Sequence, residues 1–270
     1  MSFIKRLFDF YINASVHVAL AVVAFTYITS LSFNYVLDLN LAIVIFCSTI
    51  IGYNFVKYAG IAKFHYLSLT KNLQLIQLFS LVVFITLLFF IFNCSWQELL
   101  LLVFISLLTI AYAIPFLPKA KNLRTIKGLK IFIIALVWTL TTVLLPLVNS
   151  IIIIDFHQLC FFSLHRFVLI LILLIPFEIR DVNYDDAQLK TLPQMMGVQL
   201  SKAIGIFLVF AQLGLAIGFS LNYNLFILIF ISVILLLAII ASDLIKSNYF
   251  TSYYVESIPI LWYLSELLIK

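Results

Sequence analysis

The sequence predicts an all-α fold, a single integral-membrane domain over residues 1–270 built as a polytopic bundle of about nine transmembrane helices. Composition is the first reason. Of 270 residues, 65% are apolar and 10% charged, against roughly 45–50% and about 25% in a soluble domain. That excludes a water-soluble globule, along with collagen-like, disordered and disulfide-rich secreted classes. Length is the second reason: a transmembrane helix uses about 20 apolar residues, so nine of them occupy roughly 180 positions and leave short polar loops. The runs are also continuous, whereas a closed barrel needs alternating segments of about ten residues.

The apolar runs fall at 14–33, 39–56, 74–92, 98–116, 129–148, 159–177, 198–219, 223–242 and 252–268, each bounded by polar clusters. The first follows Lys5 and Arg6 but is longer than a signal-peptide core and has no convincing cleavage site, so it reads as a retained helix. Asp38, Glu98 and Asp155 are the acids of the short odd-numbered connections. The connections after the second, fourth and sixth runs are longer, roughly 17, 12 and 20 residues. No internal repeat is visible, which weakens a transporter built from repeated halves.

Charge orients the bundle. With the N-terminus in the cytoplasm, the cytoplasmic segments hold Lys5, Arg6, Lys57, Lys63, Lys71, Lys119, Lys121, Arg124, Lys127, Lys130, Arg180, Lys190, Lys202 and Lys246, which is 14 of the 16 basic residues. Only Arg166 and Lys270 fall to the other side. The positive-inside rule therefore places the N-terminus in the cytoplasm and the C-terminus outside, with a bacterial inner membrane as the expected location. The net charge of +5 follows from this bias and implies no nucleic-acid partner. Cys47, Cys94 and Cys160 are widely spaced and form neither a disulfide framework nor a metal motif.

Four of the 11 acidic residues, Glu178, Asp181, Asp185 and Asp186, lie within nine positions at the end of the sixth run. On a continuing helix Asp181 and Asp185 stand one turn apart, with Glu178 on the same face. Like charges at that spacing repel, and a cation reverses the sign. Oxygen ligands of this kind suit Mg²⁺. The plainer reading is a solvated helix end partly offset by Arg180 and Lys190.

The stretch from Glu178 through Arg180-Asp181 and Asp185-Asp186 to Thr191-Leu192-Pro193 and Gly197 resembles the second aspartate-rich motif of the UbiA family of membrane prenyltransferases. Arg180, Asp181, Asp185, Thr191, Leu192, Pro193 and Gly197 carry the match. A weaker likeness runs from Tyr112 through Lys119, Lys121, Arg124 and Lys127 to Gly128, where family members often place a tyrosine and basic residues towards the diphosphate. Positive-inside topology alone also accounts for those lysines.

The first family motif is largely missing. Aligned on Tyr53-Asn54, its acids are replaced by Phe55, Tyr58 and Ala62, and only Asn54 survives. Between Asp38 and Glu98 there is no acid, while Lys57, Lys63, His65 and Lys71 fill the loop. An ammonium could there do directly what a carboxylate with Mg²⁺ does elsewhere.

The resemblance implies ionisation of a prenyl diphosphate and attack on the cation by a lipid-soluble acceptor, commonly an aromatic ring. It implies that Asp181 and Asp185 are catalytic and hold Mg²⁺ together with Glu178 and Asp186. It further implies that Asn54, Tyr112, Lys119 and Lys121 orient the diphosphate, with Lys57 and Lys63 as basic substitutes. Membrane lipids are the surrounding partners. The alternative is a non-catalytic relative that binds an isoprenoid lipid or a membrane partner.

The remaining polar residues are expected to be structural. Arg166 should snorkel to the outer headgroups, Trp96 and Tyr253 should anchor at interfaces, and Asp243 should pair with Lys246 one turn away. The four histidines show no paired spacing.

Overall fold

The computed structural model describes residues 3–64, 71–115, 122–150, 154–185, 189–247 and 249–269, with side chains at all of these except 59–64 and 71. Among the described residues the regular structure is entirely helical. The helices are α1 Phe3–Asn13, α2 Val16–Ser32, α3 Leu39–Phe64, α4 Lys71–Ile91, α5 Trp96–Ala113 and α6 Lys130–Leu147. They continue with α7 Phe156–Asp181, α8 Leu192–Met196, α9 Val198–Gly218, α10 Leu225–Ala241 and α11 Ile258–Ile269. Six described helices are long and apolar enough to cross a bilayer, or seven if α1 and α2 count as one broken span. All nine expected runs are helical, but α10 has 17 residues and α11 only 12.

The first expected run begins at 14, and the structure adds α1 ahead of it. In Phe3–Asn13 the charges of Lys5, Arg6 and Asp9 interrupt the apolar residues, so no continuous run exists there, yet the spacing is amphipathic. α1 meets α2 at a 54° bend, where Ser15 adopts a left-handed backbone with φ of 63°. Phe3, Ile4 and Leu7 of α1 are exposed.

Burial sorts the helices into a centre and a periphery. In α6 and α7, 56% of the spanning window is buried, against 17% in α4 and α5. α7 packs on α6 and α9, α2 on α3, and α11 returns to pack on α2 and close the bundle. Gly205 marks the tightest approach, because a Cβ there would lie 3.0 Å from both Ile175 of α7 and Ile239 of α10.

α6 carries a π-helical turn at Leu140–Leu144 just before Pro146, and the Thr142 carbonyl it frees accepts a hydrogen bond from Thr29 Oγ1 at 2.7 Å. α5 opens on a capping box in which the Ser95 N–H donates to Glu98 Oε2 at 2.7 Å and the Glu98 N–H to Ser95 Oγ at 3.3 Å. Asp155 caps α7 by accepting from the Gln158 N–H.

Two structural expectations need correction. Arg166 does not snorkel: it is fully buried, donates to the Phe25 carbonyl at 3.0 Å and Thr29 Oγ1 at 3.3 Å, and stacks 4.3 Å from the centre of the Phe25 ring. Next to it His165, Gln212 and Ser232 form a buried hydrogen-bonded chain, so the centre of the bundle is partly polar. Half-buried Tyr253 packs against Phe8 of α1 and His17 of α2. Asp243 pairs with Lys202 of α9, not with Lys246. Trp96 is exposed, as an interfacial anchor would be.

Candidate functional site

The basic end of the bundle is where α3 and α7 end, α6 begins and the chain enters α11. α7 continues past the expected 177 to Asp181, which puts Glu178 on the helix, and a turn then carries the chain on. The helix ends at Asp181 and Asp185 lies in the turn beyond it, where its N–H still makes one helix-like bond to the Asp181 carbonyl at 2.8 Å. Leu192–Pro193 then open α8, with the Thr191 N–H donating to Gln194 Oε1 at 3.0 Å. Gly197 joins α8 to α9 with a φ of +81°. A Cβ there would meet no neighbour, so glycine is needed for backbone conformation rather than for space.

Lys130, the first residue of α6, is the centre of the acidic cluster. Its Nζ lies 2.9 Å from Glu178 Oε1 and 2.5 Å from Asp185 Oδ2, and Arg124 reaches Asp185 Oδ1 at 3.4 Å. Lys130, Glu178 and Asp185 have side chains only 13%, 4% and 8% exposed respectively, so this is a buried ionic cluster. Asp181 is engaged by its neighbour instead: Arg180 Nε and Nη2 donate to its two oxygens at 2.7 and 3.0 Å. The same guanidinium donates to Thr251 Oγ1 at 2.5 Å and Ser252 Oγ at 3.1 Å, which ties α7 to the turn before α11.

The end of α3 is used differently. Asn54 is buried, accepts from Ser15 Oγ at 2.8 Å and donates to the Ala14 carbonyl at 3.2 Å and Ser80 Oγ at 2.9 Å. Its carboxamide oxygen and both N–H groups are thus spent on the α1–α2 bend and α4. Lys57 donates to Ser15 Oγ at 2.9 Å, and Tyr58 donates to the Asn13 carbonyl.

Two cavities meet at this end. One, of about 160 Å³, is lined by Tyr53, Lys130, Ile134, Trp138, Ile170, Leu173, Leu174, Phe177, Glu178, Asp181, Val255, Glu256 and Pro259. Its walls are apolar and its polar groups are three carboxylates, one ammonium and the Tyr53 hydroxyl, which accepts from Trp138 Nε1 at 2.7 Å. That volume is comparable to the roughly 150 Å³ that holds a benzene ring in a dry cavity. The second, of about 380 Å³, is lined by Lys127, Gly128, Leu129, Lys130, Ile131, Phe132, Glu178, Leu189, Thr191, Leu192 and Met195. Gly128 there has a φ of +70°, and the Thr191 hydroxyl is buried with no hydrogen-bond partner among the described residues. Lys130 and Glu178 belong to both linings and form the partition.

The structure therefore gathers Glu178, Asp181, Asp185 and Tyr112 at one place, Tyr112 being buried within the electrostatic reach of Arg124, Lys130, Glu178 and Asp185. Lys57 stands 5.9 Å from the centre of the Tyr53 ring, beside the first cavity. Lys119, Lys121 and Asp186 lie outside the described residues, as does the Lys63 side chain.

Of the expected Mg²⁺ set, Glu178, Asp181 and Asp185 are described and Asp186 is not. Among the described residues no three His, Cys, Asp or Glu side chains converge as a metal site requires, and each described carboxylate of the cluster already holds a cation of the chain itself. Glu178 and Asp185 are arranged about the Lys130 ammonium and Asp181 about the Arg180 guanidinium.

Two residues escaped the sequence reading. Lys130 was one basic residue among many, because its partners come from 48 and 55 positions away. Glu256 carried a signal that could have been used, since it is one of two acids inside the last apolar run, and such residues are costly unless they face a protein interior.

No family model and no curated protein matches the sequence. The solved structures do. The chain is similar to digeranylgeranylglyceryl phosphate synthase in membranes, with 17% identity and a TM-score of 0.57 over 98% of each chain. It is also similar to a UbiA homolog from Archaeoglobus fulgidus bound to Cd²⁺, with 13% identity and a TM-score of 0.56 over 95% of this chain and 98% of that one. The likeness spans essentially the full length of all three chains and is one of fold.

Proposed function

From a multi-pass membrane chain with the UbiA fold, we propose a membrane prenyltransferase that moves an isoprenoid group from a prenyl diphosphate to a lipid-soluble acceptor through a divergent diphosphate site. The observation that carries this reading is the pair of cavities sharing Lys130 and Glu178. The cavity with Lys127, Lys130 and the unpartnered Thr191 hydroxyl offers cations and a donor to an anion of diphosphate type. The apolar cavity next to it has room for about one isoprenoid unit or one ring, which suits the reacting end of the chain and leaves the tail to the surrounding helices and lipid.

In this reading Lys130 faces the bridging oxygen as the carbon–oxygen bond breaks and the diphosphate takes the electron pair. Glu178 and Asp185 fix Lys130 in place, and preorganised charge of this kind lowers the barrier without reorganisation during the reaction. Asp181 lies on the apolar side, where the allylic carbon becomes positive, and Arg180 holds it there. Tyr112 supports the cluster from α5. Lys57, with Lys63, Lys119 and Lys121 from the neighbouring loops, adds positive field around the diphosphate, while Asn54 acts at a distance by fixing Ser15 and through it Lys57. A Mg²⁺ ion would have to displace Lys130 or Arg180 from these carboxylates, so the chain's own cations are assigned the neutralising role.

The test is diphosphate release from geranylgeranyl diphosphate by purified protein in lipid nanodiscs. Release that falls at least about a hundredfold in Asp181→Ala and is lost in Asp185→Ala supports the reading. Unimpaired release in both variants overturns it. A non-catalytic lipid-binding protein is the second reading, favoured by the self-neutralised ion pairs, and it predicts tight binding with no release by the unaltered protein.

A further inference from the structure

Three carboxylates line the apolar cavity, and they are not equivalent. Glu178 is paired with Lys130 and Asp181 with Arg180. The Glu256 N–H bonds the Thr251 carbonyl at 3.3 Å, but among the described residues its side chain joins no ion pair, although it lies in the turn that leads into α11 and lines the cavity. Its surroundings are mixed. Tyr11 of α1, Tyr53 and Lys57 of α3 and Arg180 of α7 are the titratable groups within its electrostatic reach, and Lys130, Glu178 and Asp181 share its cavity. A cavity-lining carboxylate outside every ion pair among the described residues can take up and return a proton without breaking one.

Resting on the prenyl-transfer reading, we propose that Glu256 is the base that takes the proton the acceptor loses when the prenyl group joins it. The bond between C1 and the diphosphate oxygen breaks, and its electron pair leaves with the diphosphate. The acceptor's X–H group, oxygen or ring carbon, supplies the pair for the new C1–X bond. Its proton passes to a Glu256 carboxylate oxygen and later to solvent. Glu178 and Asp181 are poorer bases for this step, since protonating either one breaks an existing ion pair. Tyr53 accepts from Trp138, which leaves its own O–H to hold the acceptor beside Glu256.

The experiment follows radiolabelled geranylgeranyl diphosphate added to the full chain in vesicles made from the producing cell's total lipid extract. Labelled lipid, labelled prenyl alcohol and free diphosphate are all measured. In Glu256→Gln, ionisation should persist within about tenfold of the unaltered protein, while labelled lipid falls at least about a hundredfold and prenyl alcohol rises as water captures the cation. Glu256→Asp should restore part of the lipid product, which a purely structural role would not require. Equal lipid-to-alcohol ratios in Glu256→Gln and the unaltered protein overturn the proposal and leave prenyl transfer standing. Diphosphate release with prenyl alcohol as the sole product of the unaltered protein also overturns it. No release at all overturns the prenyl-transfer reading beneath it. If Glu256→Gln does not fold, the unaltered protein decides: the lipid-to-alcohol ratio should fall on acidification, and a ratio constant across mildly acidic to mildly alkaline pH overturns the proposal.

Discussion

The ends of α3 and α7 lie at the same end of the bundle and both carry polar side chains, yet those side chains have opposite duties. At α3, Asn54, Lys57 and Tyr58 turn towards the bend between α1 and α2 and close it with hydrogen bonds. At α7, Glu178, Asp181 and Asp185 turn towards cations, and Glu178 and Asp181 line a cavity. The contrast teaches that polar side chains at neighbouring helix ends can divide between bracing the bundle and forming a buried ionic cluster. Here the α3 end holds the N-terminal helix in place, and the α7 carboxylates are balanced by Lys130 and Arg180.

The largest effect that would sharpen this contrast is on folding. Lys130→Ala leaves Glu178 and Asp185 buried without their shared cation, and removing one partner of a buried pair costs about 3–5 kcal/mol. Adding Glu178→Gln should recover part of that loss, as read by thermal unfolding in detergent. If Lys130→Ala melts with the unaltered protein, the cluster is not the buried ionic centre described here.

Asn54→Ala should cost less, about 2 kcal/mol from the hydrogen bonds lost at the bend, with affinity for a prenyl diphosphate changed by less than about threefold. A large affinity loss with unchanged stability would erase the distinction between the two helix ends. Smaller still is the expected response to metal removal: binding of a prenyl diphosphate measured in EDTA and in Mg²⁺ should differ by less than about tenfold, since Lys130 and Arg180 already neutralise the carboxylates. Strict Mg²⁺ dependence would show that the ion pairs open to admit a metal.

The smallest effect lies away from both regions. The hydrogen bond from Lys202 holds the Asp243 carboxyl below its ordinary range. A carboxyl depressed in the folded state stabilises it fully above the ordinary value, and the contribution is lost as pH falls through the folded value. Asp243→Asn should therefore melt slightly less acid-sensitively than the unaltered protein, by a modest amount because the pair is only part-buried.

Much of this architecture was legible because a bilayer demands long apolar runs, and those runs are hard to disguise. The helical bundle, the crowding of charge at one end and the grouping of Glu178, Asp181 and Asp185 all followed from sequence. α1 was missed because Lys5, Arg6 and Asp9 break its apolar run, although an amphipathic helix needs only a periodic one. Arg166 was misplaced because hydropathy says nothing about which helix face meets protein, and that face holds Phe25 and Thr29. The role of Asn54 was hidden for the same reason: Ser15, Ala14 and Ser80 lie 39, 40 and 26 positions away. Lys130 looked like topology until the fold brought two acids to it.

The central claim is that Lys130, held by Glu178 and Asp185, forms the diphosphate side of a prenyl-transfer site. The most direct measurement is the affinity of a non-ionising analogue, geranylgeranyl thiolodiphosphate, for the unaltered protein and for the charge-balanced double variant Lys130→Met with Glu178→Gln in nanodiscs. Saturable binding by the unaltered protein that weakens at least about tenfold in the folded double variant is the expected result. Equal affinity in the two, or no binding by the unaltered protein, would contradict the account.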